Sequence, residues 1–417
     1  MLLDWLVEFK IYLKKLRLRQ KIRTKLAIWH FFGNPSSELK IVGVTGTKGK
    51  TTTTTLLYRI AIALGYKAGL IGTVENIING ERIPTSFTTP EPSELNRLLN
   101  KMVGQGCEWV FMEVSSQGID QGRIAGLTFF GGVFTNLTHD HLDYHKTFEN
   151  YFEAKKKFFH SLSSHAFALS NADDLYGKRM LEDIKAHKYF YGFENPADFG
   201  GQVNRLDFKG LEIKAGNDVL HSTLLGKFNA YNILAVWNTC KLLGFDMERV
   251  KKILEDVQPP RGRFEHFTAA NGVLVVVDYA HAPDPLEKII AAVKGVKDKN
   301  GKLISVFGCG GDRDSLKRPK MGKIGASESD IAIFTTDNPR SEDPEKIIED
   351  MKTGLTQDEL KKVTVILDRR EAIREGVKLA QKGDVLLVAG KGHETYQDIK
   401  GVKSHFDDLE ELRNAFS

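Results

Sequence analysis

The sequence predicts an α/β protein with a P-loop-type central domain on a mainly parallel sheet, a second, smaller α/β domain and a short N-terminal helix. Three observations carry this. An apolar strand at Ile41-Val42-Gly43-Val44 empties into a glycine-rich turn and then a helix. Aliphatic and β-branched runs alternate with helical stretches on both sides of residue 260, the signature of parallel sheets wrapped by helices. Between them, Pro259-Pro260-Arg261-Gly262-Arg263 interrupts the alternation, because paired prolines stop a helix and glycine permits a turn. A chain of 417 residues is too long for one ordinary core. The expected division is 1–38, 39–260 and 261–417.

In chain order, residues 1–32 have helical periodicity. Leu2, Leu6, Phe9, Leu13 and Leu16 form a stripe, with Lys10, Lys14, Arg17 and Lys21 largely off it. Residues 1–25 hold eight Lys and Arg against Asp4 and Glu8, so this one segment exceeds the whole chain's net charge of +5. The remainder is close to neutral, which argues against nucleic acid as a partner. The helix either packs on its own protein or meets a membrane surface or partner, given Trp5, Phe9 and Trp29 among the cations. Residues 32–37, Phe-Gly-Asn-Pro-Ser-Ser, then break it.

The turn reads Gly46-Thr47-Lys48-Gly49-Lys50-Thr51-Thr52. Glycines let backbone N–H groups approach an anion, the following helix adds the positive end of its dipole, Lys50 adds a charge, and the Thr51 hydroxyl suits Mg²⁺. Only Thr47 and Lys48 separate Gly46 from Gly49-Lys50, against four residues in the common P-loop. The loop is a shortened phosphate cradle, and ATP is the expected ligand. A helix over 51–64 and strands over 67–73, 109–114, 132–137 and 167–171 follow. Residues 199–225 alternate apolar and polar side chains around Asn204, Gly210 and Gly216-Asn217, as small hairpins do.

Glu113 ends the strand at 109–114, and Thr138-His139-Asp140-His141-Leu142-Asp143 follows the next. Both lie at carboxyl ends of strands, where open α/β sheets place their sites. Either carboxylate or histidine alone would suit a structural role equally well. In the predicted helix at 151–159, Phe152, Lys155, Phe158 and Phe159 share one face. Lys155 is thus drawn onto the apolar side, at a cost unless it is paired or chemically changed. Beyond the linker, strands are expected at 273–277, 303–308, 331–335, 363–367 and 385–389. Polar or glycine-rich ends follow several of them: Asp278-Tyr279-Ala280-His281, Gly308-Cys309-Gly310-Gly311-Asp312-Arg313, Asp337-Asn338-Pro339-Arg340 and Gly390-Lys391-Gly392-His393-Glu394. Arg313 and Arg340 suit a carboxylate, and Glu394 or Asp337 an ammonium, so the group looks built for an amino acid.

Taken in order, these clusters resemble the Mur ligase family, ATP-dependent ligases that assemble the peptidoglycan stem peptide. The likeness is strongest to the branch that adds diaminopimelate, and Thr88-Thr89-Pro90, Ala154-Lys155 and 226–232, Gly-Lys-Phe-Asn-Ala-Tyr-Asn, belong to it as well. The resemblance implies a central ATPase domain and a C-terminal Rossmann-like domain. It implies that Gly46, Thr47, Lys48, Gly49, Lys50, Thr51 and Thr52 hold the ATP phosphates and one Mg²⁺. Glu113, His141 and Lys155, carbamylated by CO₂, would surround a second Mg²⁺. Lys50, Glu113, His141 and Lys155 are then the catalytic set, and Asn229, Asn232, Arg263 and Asp278 contact the nucleotide. Thr88, Thr89, Ser115, Gln121 and Arg123 match positions that hold a muramoyl-dipeptide. Arg313, Asp337, Asn338, Arg340, Gly390 and Glu394 match those for the incoming diamino acid, in the meso-diaminopimelate form. The reaction implied is amide formation through an acyl phosphate, by a cytoplasmic monomer acting on small molecules.

Two departures stand out. Gln117 occupies a place where the family commonly has His, and some 32 residues of basic helix stand where the family carries a domain for the UDP part of the acceptor. That second departure raises a lipid-linked or UDP-free acceptor as an alternative. A folylpolyglutamate-synthase-like ligase shares the cradle but not the Asp-Asn-Pro-Arg and Gly-Lys-Gly-His-Glu series, and a scaffold without activity would not need Lys50, Glu113, His141 and Lys155 together. Cys107, Cys240 and Cys309 lack metal or disulfide spacing, and no run is long and apolar enough to span a membrane. No signal-peptide pattern opens the chain.

Overall fold

The structure, a computed structural model, describes residues 33–207 and 210–417. The basic helix expected over residues 1–32 lies outside the described residues. The chain divides into two compact units. The first holds the residues up to Val203 with Ile213–Leu220 and Ala230–Glu255; the second holds Asn204–Glu212, His221–Asn229 and Asp256–Ser417.

The larger sheet contains β1 (Lys40–Thr45), β2 (Ala68–Ile71), β3 (Asn76–Ile78), β4 (Glu81–Ile83), β5 (Trp109–Glu113), β6 (Gly131–Phe134), β7 (Phe167–Asn171), β8 (His187–Gly192), β9 (Phe199–Asp207), β10 (Gly210–Ala215) and β11 (Asp218–Ser222). Their order is β11-β10-β9-β8-β7-β6-β1-β5-β2-β3-β4. From β8 across to β2 every neighbour is parallel. β1 lies between β6 and β5, so the chain leaves it at the point where strand order reverses, the crevice in which such sheets bind ligands. Its residues are buried on both faces after Lys40, which accounts for an unbroken apolar run where a half-exposed strand would alternate. Helix α1 (Lys50–Ala63) returns over the sheet. It opens with five successive threonines, which are poor helix formers. Burial of Thr52, Thr53, Thr54, Leu56, Leu57 and Ile60 outweighs that preference, and Thr54 Oγ1 donates back to the Lys50 carbonyl at 2.9 Å. The remaining long helices of this part of the chain are α2 (Pro92–Gly104), α3 (Phe148–His160), α4 (Lys227–Leu243) and α5 (Met247–Glu255).

The second unit carries a six-stranded sheet of β12 (Glu265–Thr268), β13 (Leu274–Asp278), β14 (Leu303–Phe307), β15 (Ile331–Phe334), β16 (Val363–Val365) and β17 (Val385–Ala389), in the order β12-β13-β17-β14-β15-β16. All pairs are parallel except β12 with β13. Successive residues feed opposite cores, as a two-residue period requires. Leu274, Val276, Leu303, Val385 and Leu387 join one cluster, and Val275, Val277, Ile304, Leu386 and Val388 the other. Helices α6 (Pro283–Lys294), α7 (Lys317–Glu328), α8 (Pro344–Lys352), α9 (Arg369–Leu379) and α10 (Asp408–Phe416) complete it, with a separate hairpin of β18 (Tyr396–Ile399) and β19 (Val402–His405). The strands expected at 67–73, 109–114, 132–137 and 167–171, and the five in the second unit, all form, with ends displaced by at most two residues except for β6, which stops three residues short of 137. Among the described residues no helix is long and apolar enough to cross a membrane.

Candidate active site

The cradle is built by β1 and the strand beside it. Gly46 and Gly49 both have positive φ, at 153° and 86°. A Cβ on Gly46 would overlap the Thr135 hydroxyl, and one on Gly49 would lie 2.5 Å from Asn232 Oδ1, so at both positions only glycine keeps the loop close to its neighbours. Asn136 secures the turn from below: its carbonyl accepts the Thr47 N–H at 2.8 Å, and its Oδ1 accepts the Lys48 N–H at 2.9 Å. The Thr47 hydroxyl meets the Tyr151 hydroxyl at 3.1 Å. No side chain caps α1 at Gly49, which leaves that helix end suited to an anion. Lys50 Nζ folds back on the loop, donating to the Gly46 and Thr47 carbonyls at 2.9 and 3.0 Å.

The register of β1 with β5 sets Val44 beside Glu113. Glu113 Oε2 accepts the Thr51 hydroxyl at 3.1 Å and the Thr73 hydroxyl at 3.0 Å, and Oε1 accepts the Thr73 N–H at 2.9 Å. Thr51 Oγ1 with a carboxylate is a hard-oxygen pair of the kind Mg²⁺ takes. From Glu113 a continuous network runs through the residues expected at the acceptor. Thr73 meets Thr88 at 3.0 Å, and Thr89 Oγ1 donates to the Glu113 carbonyl while accepting from Ser115. Arg123 donates to the Thr89 carbonyl at 2.8 Å and to Gln121 Oε1 at 2.8 Å. The five residues Thr88, Thr89, Ser115, Gln121 and Arg123 thus stand together. Thr73, which the sequence reading passed over, joins them to Glu113; it follows a strand end, but a lone threonine there carries no signal of its own.

Lys155 is buried, only 1% exposed, on the apolar face of α3. Its Nζ donates to the Gly46 carbonyl at 2.9 Å, the same oxygen that Lys50 uses, and sits 4.7 Å from the Tyr151 ring centre. Burial, with Lys50 close by, pushes its pKa well below the usual lysine range. His141 has a left-handed backbone, φ 54°. Its Nδ1 lies 3.1 Å from Gln117 Nε2, and burial lowers its pKa. The structure joins Thr51 to Glu113 directly, but no hydrogen bond connects either of them to His141 or Lys155. Among the described residues no group of three His, Cys, Asp or Glu side chains stands ready to hold a metal.

In the second unit the register brings Asp278, Phe307 and Phe334 level with or beside Ala389 across β13, β17, β14 and β15, so the four polar loops leave one sheet edge. Gly390, with φ 118°, passes so close to Asp337 that a Cβ would lie 2.5 Å from Oδ2. Asn338 Nδ2 donates to Glu394 Oε2 at 2.8 Å, and Lys391 Nζ donates to Asn338 Oδ1 at 2.9 Å. Arg340 NH1 donates to the Gly311 carbonyl at 2.6 Å. Arg313 is exposed, and its side chain passes the same face of Gly310 as that of Arg340. Asp278 Oδ2 accepts the Phe264 N–H at 2.8 Å, and the Arg263 guanidinium lies 5.3 Å from the Tyr279 ring. Asn232 lies beside Gly49 in the first unit, whereas Asn229 belongs to the second, where its Nδ2 donates to the Leu225 carbonyl. Lys391 escaped the sequence reading because a lysine between two glycines looks like an exposed loop charge.

A glycine cradle at a sheet's switch point, with a hydroxyl, a carboxylate and lysines at its mouth, is the arrangement of an enzyme that handles nucleotide phosphates. The comparisons narrow the class: the Mur ligase middle domain matches residues 44–240 and the Mur ligase glutamate ligase domain matches 262–392. The chain belongs to the Mur ligase family. It is 53% identical over 387 residues to UDP-N-acetylmuramoyl-L-alanyl-D-glutamate–2,6-diaminopimelate ligase of Bacteroides fragilis, covering 93% of this chain and 80% of that one. A solved structure of a ligase of that name superposes with a TM-score of 0.68 at 35% identity, covering 91% of this chain and 78% of the other. Folylpolyglutamate synthase from Thermotoga maritima gives the same TM-score at 17% identity, over 91% and 94% of the two chains, a likeness of fold alone.

Proposed function

We infer that this chain is an ATP-dependent, ADP-forming ligase of peptidoglycan synthesis. It joins a diamino acid, meso-diaminopimelate, to the side-chain carboxylate of D-glutamate in a muramoyl-L-Ala-D-Glu acceptor. The observation that carries this reading is 53% identity, over 93% of the chain, to a relative named for that reaction. The two family matches on either side of residue 260 support reading 39–260 as the ATP-binding domain and 261–417 as the domain for the incoming amino acid, with 1–38 ahead of them. Dependence on ATP favours action in the cytoplasm, and we read the chain as a monomer.

In this reading Gly46–Thr52 and Lys50 hold the ATP phosphates, with Asn229, Asn232, Arg263 and Asp278 on the nucleoside side. The Thr89–Ser115–Arg123 network orients the acceptor, whose carboxylate attacks the γ-phosphate to give an acyl phosphate and ADP. The amine of the diamino acid, held through Arg313, Asp337, Asn338, Arg340, Gly390 and Glu394, then attacks that carbonyl. Collapse of the tetrahedral adduct expels phosphate and leaves the amide. Two anions must meet in the first step, so Lys50 offsets their repulsion. Bound Mg²⁺ would supply further neutralisation, one ion held through Thr51 and a second through Glu113, His141 and carbamylated Lys155. The carbamate is supported by the position of Lys155: burial and the nearby Lys50 ammonium weaken its hold on its proton, and the neutral amine is the form that takes up CO₂.

The test is ADP release with meso-diaminopimelate, comparing UDP-muramoyl-L-Ala-D-Glu, the same dipeptide without UDP, and a folate acceptor with glutamate. Turnover of the UDP form supports the proposal. Equal use of the UDP-free form would favour a different natural acceptor, and turnover only with folate would overturn it.

A further inference from the structure

The loop Asp337–Arg340 is held along its length by a segment that lies outside the strands of the main sheet. Asn338 Oδ1 accepts two donors, Lys391 Nζ at 2.9 Å and the Asp398 N–H at 3.0 Å. With both donors on the oxygen, the amide has one orientation, and its nitrogen must face Glu394. Lys391 is fully buried, stands 3.6 Å from Glu394 Oε2 and lies 5.7 Å from the Tyr396 ring centre. One oxygen of Glu394 is therefore occupied by Asn338 with Lys391 behind it, and Oε1 has no hydrogen-bond partner among the described residues.

Arg340 is secured in the same manner. Its φ of 52° is left-handed, a conformation a non-glycine residue adopts only when its surroundings impose it. The imposing groups are on the hairpin: the Arg340 N–H donates to the Asp398 carbonyl at 3.0 Å, and the Lys400 N–H donates to the Arg340 carbonyl at 2.7 Å. Gln397 Nε2 adds a bond to the Asp337 carbonyl at 2.9 Å. The second strand of the hairpin, Val402–His405, is exposed throughout, so little of it goes to filling a core. Its first strand, by contrast, makes these bonds to a loop that carries ligand-recognising side chains.

We propose that Lys391 and the strand Tyr396–Ile399 form a positioning frame that sets selectivity for the distal end of the incoming amino acid, by fixing Glu394, through Asn338, for its ammonium and Arg340 for its carboxylate. The inference rests on the function proposed above. Neither Lys391 nor the strand touches the ligand in this account; they act through the three residues they orient. A loose frame keeps a general amino-acid site but loses discrimination, because a bidentate guanidinium contact depends on position to a fraction of an ångström.

Lys391→Met and Gln397→Leu are assayed for ADP release with meso-diaminopimelate and with L-lysine, which lacks the distal carboxylate. In Lys391→Met the KM for diaminopimelate rises about tenfold or more while kcat at saturation and the KM for ATP stay within about threefold, the scale of a lost charge-assisted contact. Loss of the Lys391 bond frees Asn338 and with it the loop that carries Arg340, so the carboxylate contact is lost as well and the ratio of kcat/KM for diaminopimelate over lysine falls by about tenfold. Gln397→Leu moves both in the same direction by a smaller factor; its side chain is half-buried, so it carries the test if Lys391→Met does not fold. Equal losses with the two amino acids, or a loss confined to kcat, would overturn the frame while leaving the proposed function standing. A wild-type chain that turns over neither amino acid would overturn both.

Discussion

Lys155 and Lys50 each donate to the Gly46 carbonyl at 2.9 Å, and that shared oxygen makes the residue scale informative. If the buried lysine must become a carbamate, Lys155→Ala abolishes ligation, and added bicarbonate does not restore it, since no amine remains to react. Wild-type ADP release in that variant would remove the carbamate from the mechanism. Arg340→Ala has a different signature. Its kcat/KM for diaminopimelate falls about ten- to hundredfold, as for a lost charged contact, while the KM for ATP changes little; parallel losses in both would point to misfolding. The burial of Lys155 was legible because Phe152, Phe158 and Phe159 share its helical face. Thr73 and Lys391 were not legible, because their partners Glu113 and Asn338 are 40 and 53 residues away and no local period links them.

At the scale of elements, runs of β-branched residues marked the parallel strands, and both-face burial explains why those runs are unbroken. The hairpins β3–β4 and β18–β19 went unassigned although each carries a turn signal. Asn79-Gly80 and Lys400-Gly401 all have positive φ, the arrangement that suits a two-residue hairpin turn. Asn79-Gly80 stands among aliphatic residues and was readable; Lys400 in place of Asn or Asp hid the other. Helices α9 and α10 are joined by a fully buried pair, Arg369 Nε to Asp408 Oδ1 at 2.7 Å and NH2 to Oδ2 at 2.8 Å, while NH2 also reaches the Ala389 carbonyl. Removing one partner strands a buried charge, so Asp408→Ala costs about 3–5 kcal/mol of stability. Denaturant unfolding reads this directly, and a loss below about 1 kcal/mol, the range of exposed pairs, would show that water or another group relieves Arg369.

For the whole molecule, charge decides how stability follows pH. The net charge of +5 is concentrated in residues 1–25, so repulsion across the body of the chain is small at neutral pH and individual groups set the response. Burial lowers the pKa of His141, His145, His266, His281 and His393 alike. His393 is pushed down to about 4 by burial, with Arg263, Arg261 and His281 adding to the shift, and burial lowers His145, whose ring meets the Ser116 hydroxyl at 3.0 Å. In the unfolded chain each would titrate near the ordinary histidine value of about 6.5. Between about pH 6.5 and 4 the unfolded state therefore binds more protons than the folded one, and stability rises with pH across that window. It is fully present above the unfolded pKa and is lost as the pH falls toward 4, before most carboxylates protonate. Thermal unfolding from pH 7.5 to 4.5 gives a midpoint that declines below about pH 6.5. In His393→Gln the decline is shallower, whatever the substitution does to the midpoint at pH 7.5. A wild-type midpoint that stays level to pH 4.5 would mean that these rings accept protons without cost, and that the cationic surroundings of His393 are relieved by solvent.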